Sequence, residues 1–193
     1  MEYLTLNNGV QMPLVGFGTF MLSGETCTKS VAAAIESGYR MIDTAEAYGN
    51  EKEVGAGIKA SGMDRKKLFL VTKVNFKLLD LIAYNKAVPA VNQIETNLYC
   101  QRTAERSWMD KSRVAHMAYA PLGQGNRSEM FKEPAVLALA EKYGKTPAQI
   151  QLRFLTQKGI AVIPRSTQPA HIRENFALFD FALTAEEMAR LSA

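Results

Sequence analysis

The feature that most constrains this chain is a repeated alternation of two hydrophobic periods. Six apolar runs of strand length, Leu14–Phe20, Tyr39–Ala45, Leu68–Val74, Ala90–Glu95, Val114–Leu122 and Ile160–Ser166, each end in small or polar residues. Between them lie stretches whose apolar residues recur at three and four, as in Val31, Ala34 and Ile35 or Ile150, Phe154 and Leu155. These predict helices over Thr26–Ser37, Glu51–Ser61, Phe76–Lys86, Arg102–Ser112, Pro134–Tyr143, Thr146–Lys158, Ala170–Phe179 and Ala185–Leu191. Strands that alternate with helices make an α/β fold with a parallel sheet and crossover connections.

The count of six matters. A complete eight-unit (β/α) barrel takes about 250 residues, and each β-α-β unit about 30. With 193 residues this chain is short by roughly two units. The expected fold is therefore a TIM-type barrel that lacks about two β-α units and keeps six core strands. Ahead of the first core strand, Asn8-Gly9 stands between two short alternating stretches, Tyr3–Leu6 and Val10–Pro13, which predicts a β-hairpin. Thr146-Pro147 and Thr184 read as helix N-caps, the second with Glu187 at the capping-box position. No linker, repeat or low-complexity segment interrupts the chain, so residues 1–193 are read as one domain.

The chain is 47% hydrophobic and 22% charged, which places it among globular proteins rather than disordered or fibrous ones. No apolar run approaches the ~20 residues that cross a bilayer, and the N-terminus lacks a basic and apolar leader. A cytoplasmic protein with no membrane partner is expected. Cys27 and Cys100 have neither redox nor zinc spacing, so neither a disulfide nor a metal site is expected. The net charge of +4 suits an anionic partner, but the basic residues are scattered and form no block that would bind nucleic acid.

Chemistry concentrates at two strand ends. In Met41-Ile42-Asp43-Thr44-Ala45-Glu46-Ala47-Tyr48-Gly49-Asn50-Glu51 a carboxylate closes a strand and a tyrosine follows five residues later. In Phe69-Leu70-Val71-Thr72-Lys73 a lysine closes the next strand, and in a barrel the C-terminal strand ends are active-site addresses. A tyrosine hydroxyl is a poor acid near neutral pH unless a cation beside it favours the ionised form. Lys73 could supply that cation, and Asp43 could keep the lysine charged in a desolvated pocket. Spacing alone is equally compatible with a strand-end salt bridge beside an unrelated surface tyrosine.

The words D-T-A-x-x-Y-G-N-E and V-T-K are those of the aldo-keto reductases, and other segments resemble the same family in the same order. Leu14–Phe20 resembles its first strand, Ala90–Glu95 its sixth, Ala118-Tyr119-Ala120-Pro121-Leu122-Gly123 its seventh and Val162–Ser166 its eighth. The chain looks in particular like bacterial 2,5-diketo-gluconate reductase-like members. The resemblance implies a monomeric enzyme that reduces small aldehydes or ketones to alcohols with NADPH. It implies that Tyr48 is the general acid, tuned by Lys73 and Asp43. It also implies a cofactor site in which Tyr119 stacks on the nicotinamide, Gln93 bonds its carboxamide, Gly18 and Thr19 form the floor, and Leu122 flanks the pyrophosphate. Arg165 and Ser166 would hold the adenosine 2′-phosphate, and Glu174 and Asn175 the adenine end. His171 stands where many members have an arginine.

The resemblance breaks at one place. Family members end their fourth strand with a catalytic histidine and their fifth with a Ser-Asn pair, and neither is present intact. After Val74 the chain runs Asn75-Phe76-Lys77-Leu78-Leu79-Asp80, as if the third strand were joined directly to the fifth helix, an apparent internal deletion near 74–77. Asn75-Phe76 is either the tail of the lost motif or part of the third strand's own loop. His116 lies three residues from Tyr119 on a strand of period two and so faces the other way. The alternative expectation is thus a catalytically impaired or inactive homologue that binds cofactor or serves as a scaffold. The deletion also exposes strand edges through which copies could associate.

Overall fold

The computed structural model describes residues 1–73, 88–125 and 127–192. The hairpin comes first, as β1 (Tyr3–Thr5) paired antiparallel to β2 (Gln11–Pro13). Its connection is longer than a two-residue Asn-Gly turn. Thr5 pairs with Gln11, and the loop is closed by the Leu6 amide donating to Val10 and the Gly9 amide donating to Leu6, each at 2.9 Å. Gly9 takes φ +82°, the left-handed region in which a side chain would be strained.

Six parallel strands follow in the expected order, each shorter than its apolar run: β3 (Phe17–Gly18), β4 (Met41–Asp43), β5 (Phe69–Val71), β6 (Val91–Glu95), β7 (Ala115–Tyr119) and β8 (Ala161–Val162). They form two three-stranded ladders, β3-β4-β5 and β6-β7-β8. A parallel bridge between Val15 and Val162 joins the two, with the Gly16 amide donating to Val162 and the Val162 amide to Leu14, both at 2.8 Å. The combined order is β5-β4-β3-β8-β7-β6. Among the described residues β5 and β6 have no strand on their outer sides, so the barrel is not closed. The predicted helix over Phe76–Lys86 and the apparent deletion point near 74–77 lie outside the described residues.

The helices are α1 (Gly24–Glu36), α2 (Glu51–Ala60), α3 (Thr103–Lys111), α4 (Arg127–Lys132), α5 (Pro134–Tyr143), α6 (Pro147–Gln157), α7 (Pro169–Phe176) and α8 (Ala185–Ser192). The short α4 was not anticipated by the pattern. Both expected caps are present. Thr146 and Gln149 exchange capping-box bonds, and the Thr184 amide donates to Glu187 Oε2 at 2.7 Å while the Glu187 amide donates back to Thr184 Oγ1.

Alternation along the strands sorts the core into two parts. Ile42, Val162 and Ala118 face the helices, in a cluster with Val31, Ile150 and Phe154. Met41, Met117, Ala161 and Ile163 face the barrel interior, where Leu6, Met12 and Leu14 of the hairpin segment plug one end. Asp43 lies two residues beyond Met41, on the same inward face, at the other end.

Candidate active site

Strand β4 ends at Asp43, whose side chain is buried to within 2%. The Thr19 amide and hydroxyl both donate to the Asp43 backbone carbonyl, at 3.0 and 2.9 Å, and fix the strand end. Lys73, two residues past β5, reaches back across the register pair Asp43–Val71. Its ammonium donates to Asp43 Oδ1 at 2.5 Å and to the Thr44 carbonyl at 3.1 Å. Burial pushes the Asp43 carboxyl above the ordinary carboxylate range, against the opposing pull of the Lys73 charge and of hydrogen bonds from Lys73 and Gln93.

Tyr48 closes the 3-10 turn Glu46–Tyr48, and the turn stops at Gly49 with φ +62°. The ring then stands beside Lys73, whose ammonium lies 4.8 Å from the ring centroid. Phe20 packs on its other side at 5.0 Å between centroids. Asn50, fully buried, ties this loop to the one after β3. Its amide donates to the Thr19 and Leu22 carbonyls at 2.8 Å each, and its carbonyl accepts from the Thr44 hydroxyl at 2.9 Å. Asp43, Lys73 and Tyr48 are therefore brought together, as the strand-end reading expected.

They line a cavity of about 640 Å³ at this end of the barrel, with Gly18, Gln93, Tyr119, Leu122 and Arg165 on its other walls. Tyr119 is 42% exposed there, whereas His116 is 5% exposed and lines a different surface pocket between the hairpin and α3. The period-two argument about these two residues holds. His116 accepts or donates one hydrogen bond with Thr96 at 2.8 Å, and desolvation, then the nearby Arg106 charge, lowers its pKa to about 4.

Four of the expected cofactor contacts are not on the cavity wall. Thr19 is fully buried behind Asp43. Ser166 accepts from the Gln168 amide at 3.1 Å, and Glu174 and the buried Asn175 sit on α7. Gly18 has a packing role of its own, since a Cβ there would come within 2.8 Å of the Ile163 carbonyl on the neighbouring chain segment. Gln93 is on the wall, but its amide donates to Asp43 Oδ2 at 2.7 Å. Phe20, Gln124 and Arg127 also line the cavity and escaped the sequence reading. Arg127, a cation just after the Pro121–Gly125 loop, carried the one usable signal. No histidine lines this cavity among the described residues.

Comparison with known proteins identifies the family. The sequence model of the Aldo/keto reductase family matches residues 14–88 and 75–193. Morphine 6-dehydrogenase of Pseudomonas putida is 32% identical over 267 aligned positions, covering 97% of this chain and 89% of the relative. Because this chain has only 193 residues, that relative carries internal sequence that is missing here. An aldo/keto reductase of Brucella melitensis superposes with a TM-score of 0.93 at 28% identity, over 100% of this chain and 98% of that one. A variant of Gox0644, solved in complex with NADPH, has a TM-score of 0.91 at 24% identity, over 100% and 93% of the two chains, and shares the fold. With the family sequence matched across the chain and the strand-end carboxylate, lysine and tyrosine gathered on one wall, this protein belongs to the aldo/keto reductase family, as an internally truncated member.

Proposed function

We propose that the chain is a reductase of small aldehydes or ketones that uses NADPH and works more slowly than a full-length relative. The observation that carries the reading is the Asp43–Lys73–Tyr48 arrangement on the cavity wall. Tyr48 donates a proton to the carbonyl oxygen, and the Lys73 cation beside the ring stabilises the phenolate that remains. Asp43 holds the Lys73 ammonium in place. Bound NADPH would supply hydride to the carbonyl carbon.

The cavity wall suits such a ligand in part. The half-exposed Tyr119 ring offers a stacking face for the nicotinamide, and Gly18 lets the floor lie close to the backbone of β8. Leu122 flanks the path toward the exposed Arg165, whose guanidinium suits a 2′-phosphate with Ser166 beside it. Glu174 and Asn175 would meet the adenine end only if that end extends over α7, beyond the cavity. We read residues 1–193 as a single domain whose two family matches meet at 75–88, beside the apparent deletion.

A second reading is favoured by one observation: among the described residues no histidine lines the cavity to donate to the substrate carbonyl. Loss of one such donor costs about 2.7 to 4 kcal/mol in the transition state. On that reading the chain binds NADPH and turns nothing over. Fluorescence titration with NADPH and turnover of the Tyr48→Phe variant separate the two. The enzyme reading expects binding, slow turnover and loss of that turnover in the variant. Turnover unchanged by Tyr48→Phe overturns the mechanism, and binding without turnover selects the second reading.

A further inference from the structure

Asp43 has two carboxylate oxygens in a buried site, and Lys73 serves only one of them. Lys73 Nζ donates to Oδ1, while Oδ2 accepts from Gln93 Nε2 at 2.7 Å. The second N–H direction of the same amide is directed at Met117 Sδ, 3.0 Å away, a weaker acceptor that holds the side chain against β7. The amide nitrogen is thus engaged on both sides. It comes from β6, whereas Asp43 comes from β4, and β5 with the open edges lies between them in the barrel wall.

That contact crosses the open side of the barrel, where β5 and β6 have no strand neighbour among the described residues. Inward-facing side chains two strands apart across the gap come within hydrogen-bond reach. From this juxtaposition we infer that Gln93 is a positioning residue for Asp43: it holds the carboxylate oxygen that Lys73 leaves free and so keeps the Asp43–Lys73 pair aimed at Tyr48. The role differs from the carboxamide contact that family resemblance implies for this glutamine.

A donor on Oδ2 favours the ionised carboxylate, and removing it leaves a buried oxygen unpaired. The charged and titratable groups that face Asp43 among the described residues are Lys73 from the segment after β5 and, beyond Lys73, Tyr48 from its own loop. Gln93 from β6 is the neutral donor. Replacing Gln93 therefore changes the Asp43 titration without removing a charge.

The inference rests on the proposed function only for its catalytic meaning, and its test is independent of turnover. The full chain, with no cofactor or substrate added, is labelled with ¹³C at the aspartate carboxyl and titrated by NMR, the Asp43 signal being assigned with Asp43→Asn. Gln93→Leu is expected to move the Asp43 midpoint upward, with a several-fold gain in proton affinity. Gln93→Asn keeps the amide but is one methylene too short to reach, and the same upward movement is expected. Should the leucine variant fail to fold, the asparagine variant decides. A midpoint that stays at the parent value in the folded variants overturns the role of Gln93, whatever the outcome of the Tyr48→Phe experiment.

Discussion

Strands β4 and β5 are neighbours in register, yet they live in different environments. All three residues of β4 are buried, and all three of β5 are half-buried, as are all five of β6. β4 has a strand on each side, whereas β5 and β6 each have one on a single side among the described residues. The chemistry is divided along the same line. Asp43 ends the interior strand, while Lys73 follows one edge strand and Gln93 sits on the other. An internal truncation thus leaves the packed part of a barrel almost whole and concentrates its cost at the edges. There residues of the candidate site supply a polar link, Gln93 to Asp43, across the gap.

The largest expected effect comes from undoing that difference. Inserting the two missing β-α units of a full-length relative after Val74, histidine included, gives β5 and β6 strand neighbours and restores a donor to the carbonyl. Turnover of a small aldehyde should rise by about 10²–10³-fold, the usual worth of one such donor. Steady-state kinetics on both chains checks it. Equal turnover would mean that the edges carry no catalytic cost.

A smaller effect belongs to the interior alone. His116 on β7 pairs in register with Asn92 on β6, but the histidine is buried and the asparagine half-buried. Burial lowers the His116 pKa to about 4, below the value near 6.5 expected in the unfolded chain. Above pH 6.5 neither state binds the proton, so the contribution to stability is fully present. As pH falls toward 4 the unfolded chain takes up a proton that the native chain refuses, and about 3 kcal/mol is lost. Asp43 acts in the opposite sense, because a raised carboxyl pKa lets the native chain hold its proton at higher pH. Urea melts of the parent and of His116→Gln, compared from pH 7 down to 4, isolate the histidine. The parent should lose its advantage across that window, and a constant difference would place His116 in water.

Much of this division was legible in the sequence, and the reason is period. Two-residue alternation set His116 and Tyr119 on opposite faces before any coordinates, and strand-end position brought Asp43 and Lys73 together, whereas Gln93 and Tyr119 were placed at the site by resemblance. The N-caps at Thr146 and Thr184, the second with its capping-box Glu187, were equally readable, whereas the box that Gln149 completes at Thr146 was found only in the structure. Strand length was not readable. Ladder pairing at β3 and β8 covers only two residues each, although the apolar runs are seven long. Most of the remaining residues of those runs, such as Leu14, Val15, Gly16, Ile160 and Ile163, are buried in strand-to-loop segments, which composition cannot distinguish from strand. Ser166, Glu174 and Asn175 were assigned to a ligand by resemblance, and their places off the cavity wall depend on how far that ligand extends. The Gln93–Asp43 bond joins residues fifty positions apart on β6 and β4, a tertiary juxtaposition that no local word encodes.

The last prediction measures the edge directly. Phe17, Ile42 and Leu70 are register partners on β3, β4 and β5, and all belong to the layer between strands and helices. Ile42 is 0% exposed, while Leu70 is half-buried and packs against the same cluster. Truncating either to alanine removes a side chain of the same size from adjacent positions, so the comparison isolates what surrounds each. A cavity at Ile42 is walled on both sides by strands and cannot collapse, and Ile42→Ala should cost about 2 to 5 kcal/mol. At Leu70 part of the surface already meets solvent and the edge can relax into the space. Leu70→Ala should therefore cost about half as much, a difference of roughly 2 kcal/mol between the variants in urea melts. If Ile42→Ala does not fold, Ile42→Val gives the same comparison on a scale of about 0.5 to 1.5 kcal/mol. Equal losses at the two positions would mean that β5 is enclosed as fully as β4 in solution. If the Leu70→Ala cost also grew with protein concentration, the cover would be a second copy of the chain, since association stabilises by mass action.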